Sequence, residues 1–480
     1  MSRASDPLAD GGPSRPTWVS TGRPDSAAQS VGRDTAVPPA TTAGPLRLID
    51  ARGSAEAAIP DLPRSEPPDI RATVRQIIDE VRRDGDEALR RMARRFDGAA
   101  LSDLAVPPAA CEAALASLAP AVRDALAVAA ERIEAFHGAQ QEPAHVWSRD
   151  GVTVRSRRIP VDRAGLYVPG GRAAYPSTVL MTAIPAKTAG VASLALCVPP
   201  RPDGAVAAVT LAAAALAGVP EIYAVGGAGA VAALAYGTET IPRVDLIAGP
   251  GNAYVAVAKQ EVAGVVGVPA AFAGPSEVVV VADGSAPADL AAADLIVQAE
   301  HGPDGMAALV TWDPAVAQAV GAEAAAAIAA APRRAEIEAT LSASGYAVVV
   351  ENPQQAAAVV NRIAPEHLQL MLADPDELVP LIRHAGAIFC GEHAPASLGD
   401  YLAGPSHVLP TGRSARFASV LGTADFSRTT HVITAEEDAL VSLGPAVETL
   451  ATAEGLPAHA ASIRRRLDRL AGEDPAGGGP

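Results

Sequence analysis

Cysteine is nearly absent. Cys111, Cys197 and Cys390 are the only three in 480 residues, far apart and without C-x-x-C spacing. That excludes a Cys₄ zinc site, and so sparse and unpaired a set points to a reducing compartment. Cys197 and Cys390 sit in apolar runs that read as strands, so both are expected to be small core residues. Basic charge is also scarce: 38 Lys and Arg stand against 54 Asp and Glu, a net charge of −16. The footprint of a general nucleic-acid binder is missing, and the acidic balance favours solubility without naming a partner. No apolar run reaches the ~18 residues that span a bilayer, and the start lacks the charged and apolar regions of a signal peptide. The expectation is a cytoplasmic protein with neither a membrane span nor a nucleic-acid partner.

What is present is apolar and periodic. Hydrophobic residues make up 49% of the chain and charged residues 19%, enough to bury sizeable cores. The length suggests roughly two to four domains. Residues 1–45 mix Ser, Pro, Gly, Ala, Asp and Arg without periodicity and predict a disordered tail; a start codon set too far upstream accounts for them equally well. Residues 473–480 predict a second, short tail. Ordered chain is expected from Leu46. Ile70, Val74, Ile77, Ile78 and Val81 recur at helical spacing and predict a helix over 69–83. Asp84-Gly85 breaks it, Asp86 can cap the next helix, and Leu89, Met92 and Phe96 share one side of that helix. A further helix runs through Val122, Leu126, Ile133 and Phe136.

From about residue 150, short β-branched runs alternate with Ala-rich helical stretches. Strands are predicted at 166–168, 194–198, 222–225 and 246–248, with helices at 176–190, 204–217 and 229–237 between them. A second series of strands follows at 278–282, 308–311, 346–350, 368–371 and 387–390. Alternating strand and helix implies parallel sheets covered on both faces, and two series imply two doubly wound modules. After about 421 the pattern predicts helix again, at 434–449 and 457–471. The Arg464–Arg466 cluster of the last helix reads as a solvated face.

Gly227-Ala228-Gly229-Ala230-Val231-Ala232 matches G-x-G-x-x-A between a strand and a helix, the setting of a dinucleotide fingerprint. The acidic residue expected at the end of the next strand is missing, since Asp245 stands at that strand's start. A glycine-rich turn that needs no ligand explains the match as well. Pro169-Gly170-Gly171, Gly249-Pro250-Gly251-Asn252 and Gly274-Pro275-Ser276 also adjoin strands, at the sheet edges where open α/β folds bind ligands.

Four places combine titratable residues with turn chemistry. Gln298 and His301 stand three apart at the end of an Ala-rich run, a spacing that shares one helix face and can clamp a metal or polar substrate. A solvated helix-end histidine is the bland alternative. Glu366-His367 puts an acid and an imidazole side by side at a helix-to-strand junction, a pairing that also arises by chance. Gly399-Asp400-Tyr401 leads to Gly404-Pro405-Ser406-His407, and Glu454 precedes His459 at the head of the last helix. His137, His145, His384, His393 and His431 match no such segment and read as surface or structural residues.

Together with Gly165-Leu166-Tyr167-Val168-Pro169-Gly170-Gly171, Ala273-Gly274-Pro275-Ser276-Glu277-Val278, His407-Val408-Leu409-Pro410 and Asp425-Phe426, these segments resemble histidinol dehydrogenase over roughly 46–472. The resemblance implies an α/β fold of two incomplete Rossmann-like doubly wound modules with small N- and C-terminal helical pieces. It places an N-terminal helical segment and the start of the first module in 46–163, an inserted second module in 164–276, the rest of the first in 277–420, and a helical dimerisation piece in 421–472. It implies a zinc- and NAD-dependent four-electron oxidation of L-histidinol to L-histidine, the final steps of histidine biosynthesis. One zinc per subunit would be held by Gln298, His301, Asp400 and His459, a set chemically suited to zinc though a glutamine ligand is unusual. His367 would be the base and Glu366 would activate water. Ser276, His407 and Glu454 would contact substrate together with Gln298, His301, His367, Asp400 and His459. Tyr167, Gly229 and Asn252 would contact NAD. The family forms an intertwined homodimer, so Glu454 and His459 would act in the neighbour's site.

This chain departs from the family at Gly229, where better-known members carry glutamine and its side-chain amide. Two other readings follow: a related dehydrogenase acting on a sulfonated diol, or a catalytically impaired paralogue. Retention of Glu454 and His407 argues for the imidazole substrate.

Overall fold

The computed structural model describes residues 42–53, 68–141, 145–170, 173–269, 276–300, 302 and 305–472. The tail expected over 1–45 lies outside them up to residue 41, as does that over 473–480. Ordered structure begins ahead of Leu46: Thr42–Ala43 (β1) pairs antiparallel with Leu46–Asp50 (β2).

Helix α1 (Pro68–Met92) contains the predicted break, a kink at Gly85 whose φ of 53° and ψ of −130° are not helical. Asp86 does not cap the second piece. Its N–H donates to Glu239 Oε2 and its carboxylate accepts from the Thr240 hydroxyl, tying the kink to a distant loop. Leu89 and Met92 are buried as expected, but Phe96, in a π-helical turn beyond them, is exposed. That turn changes the period, so the 3.6-residue stripe does not carry through to Phe96. Helices α2 (Pro108–Ser117) and α3 (Pro120–Ala139) follow; Leu126 and Ile133 of α3 are buried, Val122 and Phe136 exposed.

Strands β3 (Val146–Arg149) and β4 (Val152–Pro160) form a hairpin across Asp150-Gly151, both at positive φ (48° and 75°). That is the turn chemistry a tight hairpin demands. A strand far along the chain, Ser427–Ala435, pairs antiparallel with β4 over nine positions. The chain after 421 is therefore extended before it is helical. The run Thr429, Thr430, Val432, Ile433, Thr434 is β-branched, and β-branched side chains suit a pleated surface.

The first parallel sheet takes β5 (Arg163–Tyr167), β6 (Ser193–Cys197), β7 (Glu221–Tyr223) and β8 (Leu246–Ala248), in the order β7-β6-β5-β8. Helices α4 (Pro176–Thr188), α5 (Ala208–Ala217), α6 (Gly227–Tyr236) and α7 (Ala253–Val262) accompany it. Successive strand residues feed opposite faces: Leu194 and Leu196 join one core with α4 and α5, while Ala195 and Cys197 join another with α1 and α6. Burial on both faces is why these strands read as continuous apolar runs.

The second sheet takes β9 (Glu277–Ala282), β10 (Met306–Thr311), β11 (Gly345–Val349), β12 (His367–Met371) and β13 (Ala387–Cys390), with helices α8 (Ala288–Ala299), α9 (Pro314–Ala330), α10 (Arg334–Ser344) and α11 (Pro353–Ile363). Its order is β1-β2-β11-β10-β9-β12-β13, so β2 crosses over to join strands more than two hundred residues away. Val278 and Val280 face one core, Val279 and Val281 the other. Cys390, expected inside, is exposed because β13 is the edge strand. Short helix α12 (Ala396–Tyr401) and a loop lead to the extended Ser427–Ala435 segment (β14), then to α13 (Glu437–Ala453) and α14 (Pro457–Leu470), which pack on each other. Among the described residues no single helix is long and apolar enough to cross a membrane.

Candidate active site

The site grows from the pairing of β9 with β12. Parallel register sets His367 beside Val278, at the amino ends of both strands. The main chain of Glu277 then holds both members of the acid–imidazole pair. Its N–H donates to Glu366 Oε2 at 3.1 Å, and its carbonyl lies 3.2 Å from His367 Nδ1. A carbonyl can only accept, so Nδ1 carries the hydrogen and the lone pair of the neutral ring sits on Nε2. Nε2 faces Asp400 Oδ1 at 3.3 Å. The ring also stacks on Phe389 of β13, centroids 5.9 Å apart with planes 20° from parallel. Gly399 lets α12 approach that ring, since a Cβ there would lie 2.5 Å from Phe389.

The carboxylates dominate the electrostatics. Burial by itself would lower the His367 imidazole, but Glu366 and Asp400 outweigh it and hold the ring up to about 10. Glu277, a residue that sequence reasoning missed, is itself buried in the site. Its Oε1 accepts from the Gly412 N–H at 3.3 Å, while buried Oε2 finds no partner among the described residues. Burial, reinforced by the charge of Glu366, pushes this carboxyl up to about 8. The signal was one position away, in the Ser276-Glu277 that opens β9.

His407 has both ring nitrogens engaged. Nδ1 donates to the Asp400 carbonyl at 2.9 Å, and Nε2 lies 3.0 Å from the Thr178 hydroxyl of α4. It thus braces Asp400, and loss of hydration lowers its pKa toward the neutral form. Ser406 Oγ donates to the Met181 carbonyl, so α4 and the 399–407 loop are joined twice. The site therefore lies where the amino edge of the seven-stranded sheet meets the helix that leaves the carboxyl end of β5.

Gln298 is buried in the last turn of α8, which packs against α12. The helix ends at Ala299, and His301 lies outside the described residues. Ser276 is half-buried at the start of β9. Glu454 and His459 are exposed on the α13–α14 hairpin, and within one chain they do not join this cluster. Among the described residues no three His, Cys, Asp or Glu side chains are grouped to hold a metal. Of the remaining histidines, His137 is buried with Nδ1 on the Ile133 carbonyl, and the side chain of His393 is 93% exposed.

Tyr167, Gly229 and Asn252 gather at the carboxyl end of the four-stranded sheet. Tyr167 ends β5, buried, and its hydroxyl accepts from the Gly227 N–H at 3.1 Å. Asn252 caps α7, its Oδ1 accepting from Val255 N at 3.2 Å. Gly229 is buried beneath α1: a Cβ there would lie 2.9 Å from Met92 Sδ and 3.3 Å from Leu89 Cδ2. A glutamine at this position would have to displace Met92. The strand order reverses between β5 and β8, and such switch points are where open α/β sheets take ligands.

Glu277 has a consequence for stability. The folded chain keeps a proton on it that the unfolded chain releases near 4.5, so its stabilisation is full below that pH and is lost as pH rises to about 8. Glu277→Gln stays neutral throughout. Its unfolding midpoint relative to the parent should therefore rise by about 3 °C or more between pH 5 and pH 8. Thermal unfolding at both pH values checks this; an offset independent of pH would mean that Glu277 is ionised in the fold.

Comparison with known proteins agrees with the geometry. The sequence profile of the histidinol dehydrogenase family matches residues 62–467. The chain is 50% identical over 403 residues to histidinol dehydrogenase of Rhizobium meliloti (strain 1021), covering 83% of this chain and 92% of that one. It is 48% identical over 425 residues to that of Gluconobacter oxydans (strain 621H), covering 88% and 96%. The crystal structure of histidinol dehydrogenase from Elizabethkingia anophelis superposes with a TM-score of 0.82 at 34% identity, covering 85% of this chain and 94% of that one. A matched profile, half-identical relatives and a shared fold, each over most of the chain, lead to one conclusion: this chain belongs to the histidinol dehydrogenase family of oxidoreductases.

Proposed function

We propose that the protein oxidises L-histidinol to L-histidine with zinc and two NAD. In balance, histidinol, two NAD⁺ and water give histidine, two NADH and three protons. The observation that carries this reading is the cluster of buried Glu366 and His367 with half-buried Asp400, in a chain of this family.

His367 does the proton work at Nε2, because Nδ1 is committed to the Glu277 carbonyl. Nε2 accepts the hydroxyl proton as hydride leaves the adjacent carbon, once in each oxidation. With the Glu366 and Asp400 carboxylates beside it, the imidazole holds its proton. A cation held by Asp400 would draw off part of that charge and leave Nε2 able to act as the base. Glu366, anchored by the Glu277 N–H, takes a proton from the water that adds to the aldehyde-level carbon. His407 fixes the Asp400 main chain while this happens.

The donor chemistry fits zinc: imidazole and carboxylate are ordinary zinc ligands. Gln298 and Asp400, on packed helices, would hold the ion with His301 and with His459 of a second copy. When bound, zinc supplies a Lewis acid that grips the amino alcohol and imidazole of the substrate. The glycine turns around Tyr167, Gly227 and Asn252 fit a dinucleotide at the switch point, and NAD supplies the hydride acceptor. Glu454 suits the imidazole N–H of the substrate, since a carboxylate accepts it well. Exposed Val441, Val447 and Leu450 on the C-terminal hairpin support a homodimer with shared sites.

The first test is NADH counted per histidinol consumed by the zinc-loaded protein. Two, with histidine as product, is expected; oxidation of a sulfonated diol but not histidinol would overturn the reading. His367→Ala should lower turnover by about 10³-fold with zinc content unchanged by metal analysis, and loss of zinc would reassign His367 as a ligand. For shared sites, His367→Ala and His459→Ala homodimers, each inactive, should recover about a quarter of parental activity when dissociated, mixed and reassociated, because one site per heterodimer is then intact. No recovery despite heterodimer formation would place His459 in its own subunit's site.

A further inference from the structure

Of the 38 basic side chains in this sequence only Lys187 and Lys259 are lysines; all others are arginines. Each gives its ammonium to a main-chain carbonyl, Lys187 to Ala217 at 2.9 Å and Lys259 to Gly249. Lys187 is exposed, a surface tie at the end of α4. Lys259 is fully buried, one of the largest side chains without exposure among the described residues. Burying an ammonium is costly unless it is hydrogen-bonded. A guanidinium, planar and carrying five donors, would ask for more acceptors than this spot offers. The compact, single-point reach of a lysine suits this spot, where a guanidinium would be left with unpaired donors.

What it reaches is the turn between β8 and α7. Gly249 opens that turn at φ +110°, with its Cα so close to Tyr167 that a Cβ would lie 2.0 Å from the Tyr167 carbonyl oxygen. The far end of the turn is closed by Asn252, which caps α7. Lys259, on the same helix, bridges back to the near end. The turn is thus tied at both ends, and it lies at the point where the strand order reverses.

We infer that Lys259 is a positioning residue for the dinucleotide: it holds the Gly249–Asn252 turn so that Asn252 and the α7 N-terminus face the switch point. The inference rests on the dinucleotide reading above. Lys259 itself touches no ligand, being buried beneath the turn that does.

The chain's two lysines make the test direct. Lys259→Met keeps the aliphatic stem and removes the donor. Calorimetry on zinc-loaded protein should show NADH affinity reduced at least tenfold, histidinol affinity within twofold of the parent, and turnover at saturating NAD little changed, a KM effect rather than a kcat effect. A folded variant that binds NADH within twofold of the parent would overturn the inference, as would equal losses for NADH and histidinol, which would mark a merely structural lysine. Should the variant fail to fold, the parent decides. Amine-reactive labelling followed by peptide mass spectrometry reads Lys259, which a reagent reaches only when the turn above it opens, against exposed Lys187; NADH should slow modification of Lys259 at least fivefold while leaving Lys187 unaffected. No protection would overturn the inference. A parent that binds histidinol but no NADH would overturn the dinucleotide reading itself, and this inference with it.

Discussion

The parallel pairing of β9 with β12 is the constraint on which the geometry of the candidate site hangs. It sets the main chain of Glu277 against the Glu366–His367 step, so one residue orients a carboxylate through its N–H and an imidazole through its carbonyl. Main-chain groups in a buried sheet have little freedom to move, so both side chains are held without spending a dedicated residue on either. The tautomer of His367 follows from the same contact. A slip of one residue in this register would turn His367 to the other face of the sheet and dissolve the site.

The two sheets present opposite ends to one another. The acid–imidazole cluster stands at the amino edge of the seven-stranded sheet, whereas the glycine turns and α4 leave the carboxyl end of the four-stranded sheet. Thr178 and Met181 of α4, bonded to His407 and Ser406, fasten the two edges together. On the proposed function, a substrate at the cluster and a dinucleotide at the switch point would approach one another from different modules. The difference between the sheets is physical: the larger offers buried carboxylates beside an imidazole, and the smaller offers close-approach glycine turns and helix N-termini, a setting that suits phosphates.

Much of this was legible in order. The buried parallel strands stood out as apolar runs, the kink at Gly85 as a breaker between two stripes, and the motifs at Glu366-His367 and Gly399-Asp400 as chemistry beside turns. The misreadings share a cause. β14 is mostly exposed, so it lacks the apolar signature of the core strands, and only its β-branched content and a partner strand more than 260 residues upstream account for it. Phe96 and Cys390 look like core residues locally and lie outside because a π-turn and a sheet edge intervene. Gly229 reads as a lost amide, yet its position is filled from a helix over 130 residues away by Met92.

By itself the sequence determined which segments are strands and helices within the two buried sheets, which turns carry glycine, and which titratable residues cluster by motif, because periodicity and turn chemistry act over a few residues. Only the tertiary structure decided that Glu277 is a buried carboxyl beside Glu366, that His407 braces Asp400, that Lys259 ties Gly249, and that Glu454 and His459 stand apart from the cluster within one chain. Each of these depends on which strand pairs with which and on what lies across the interface. Burial and charge act through space, between groups that the chain separates by tens to hundreds of residues.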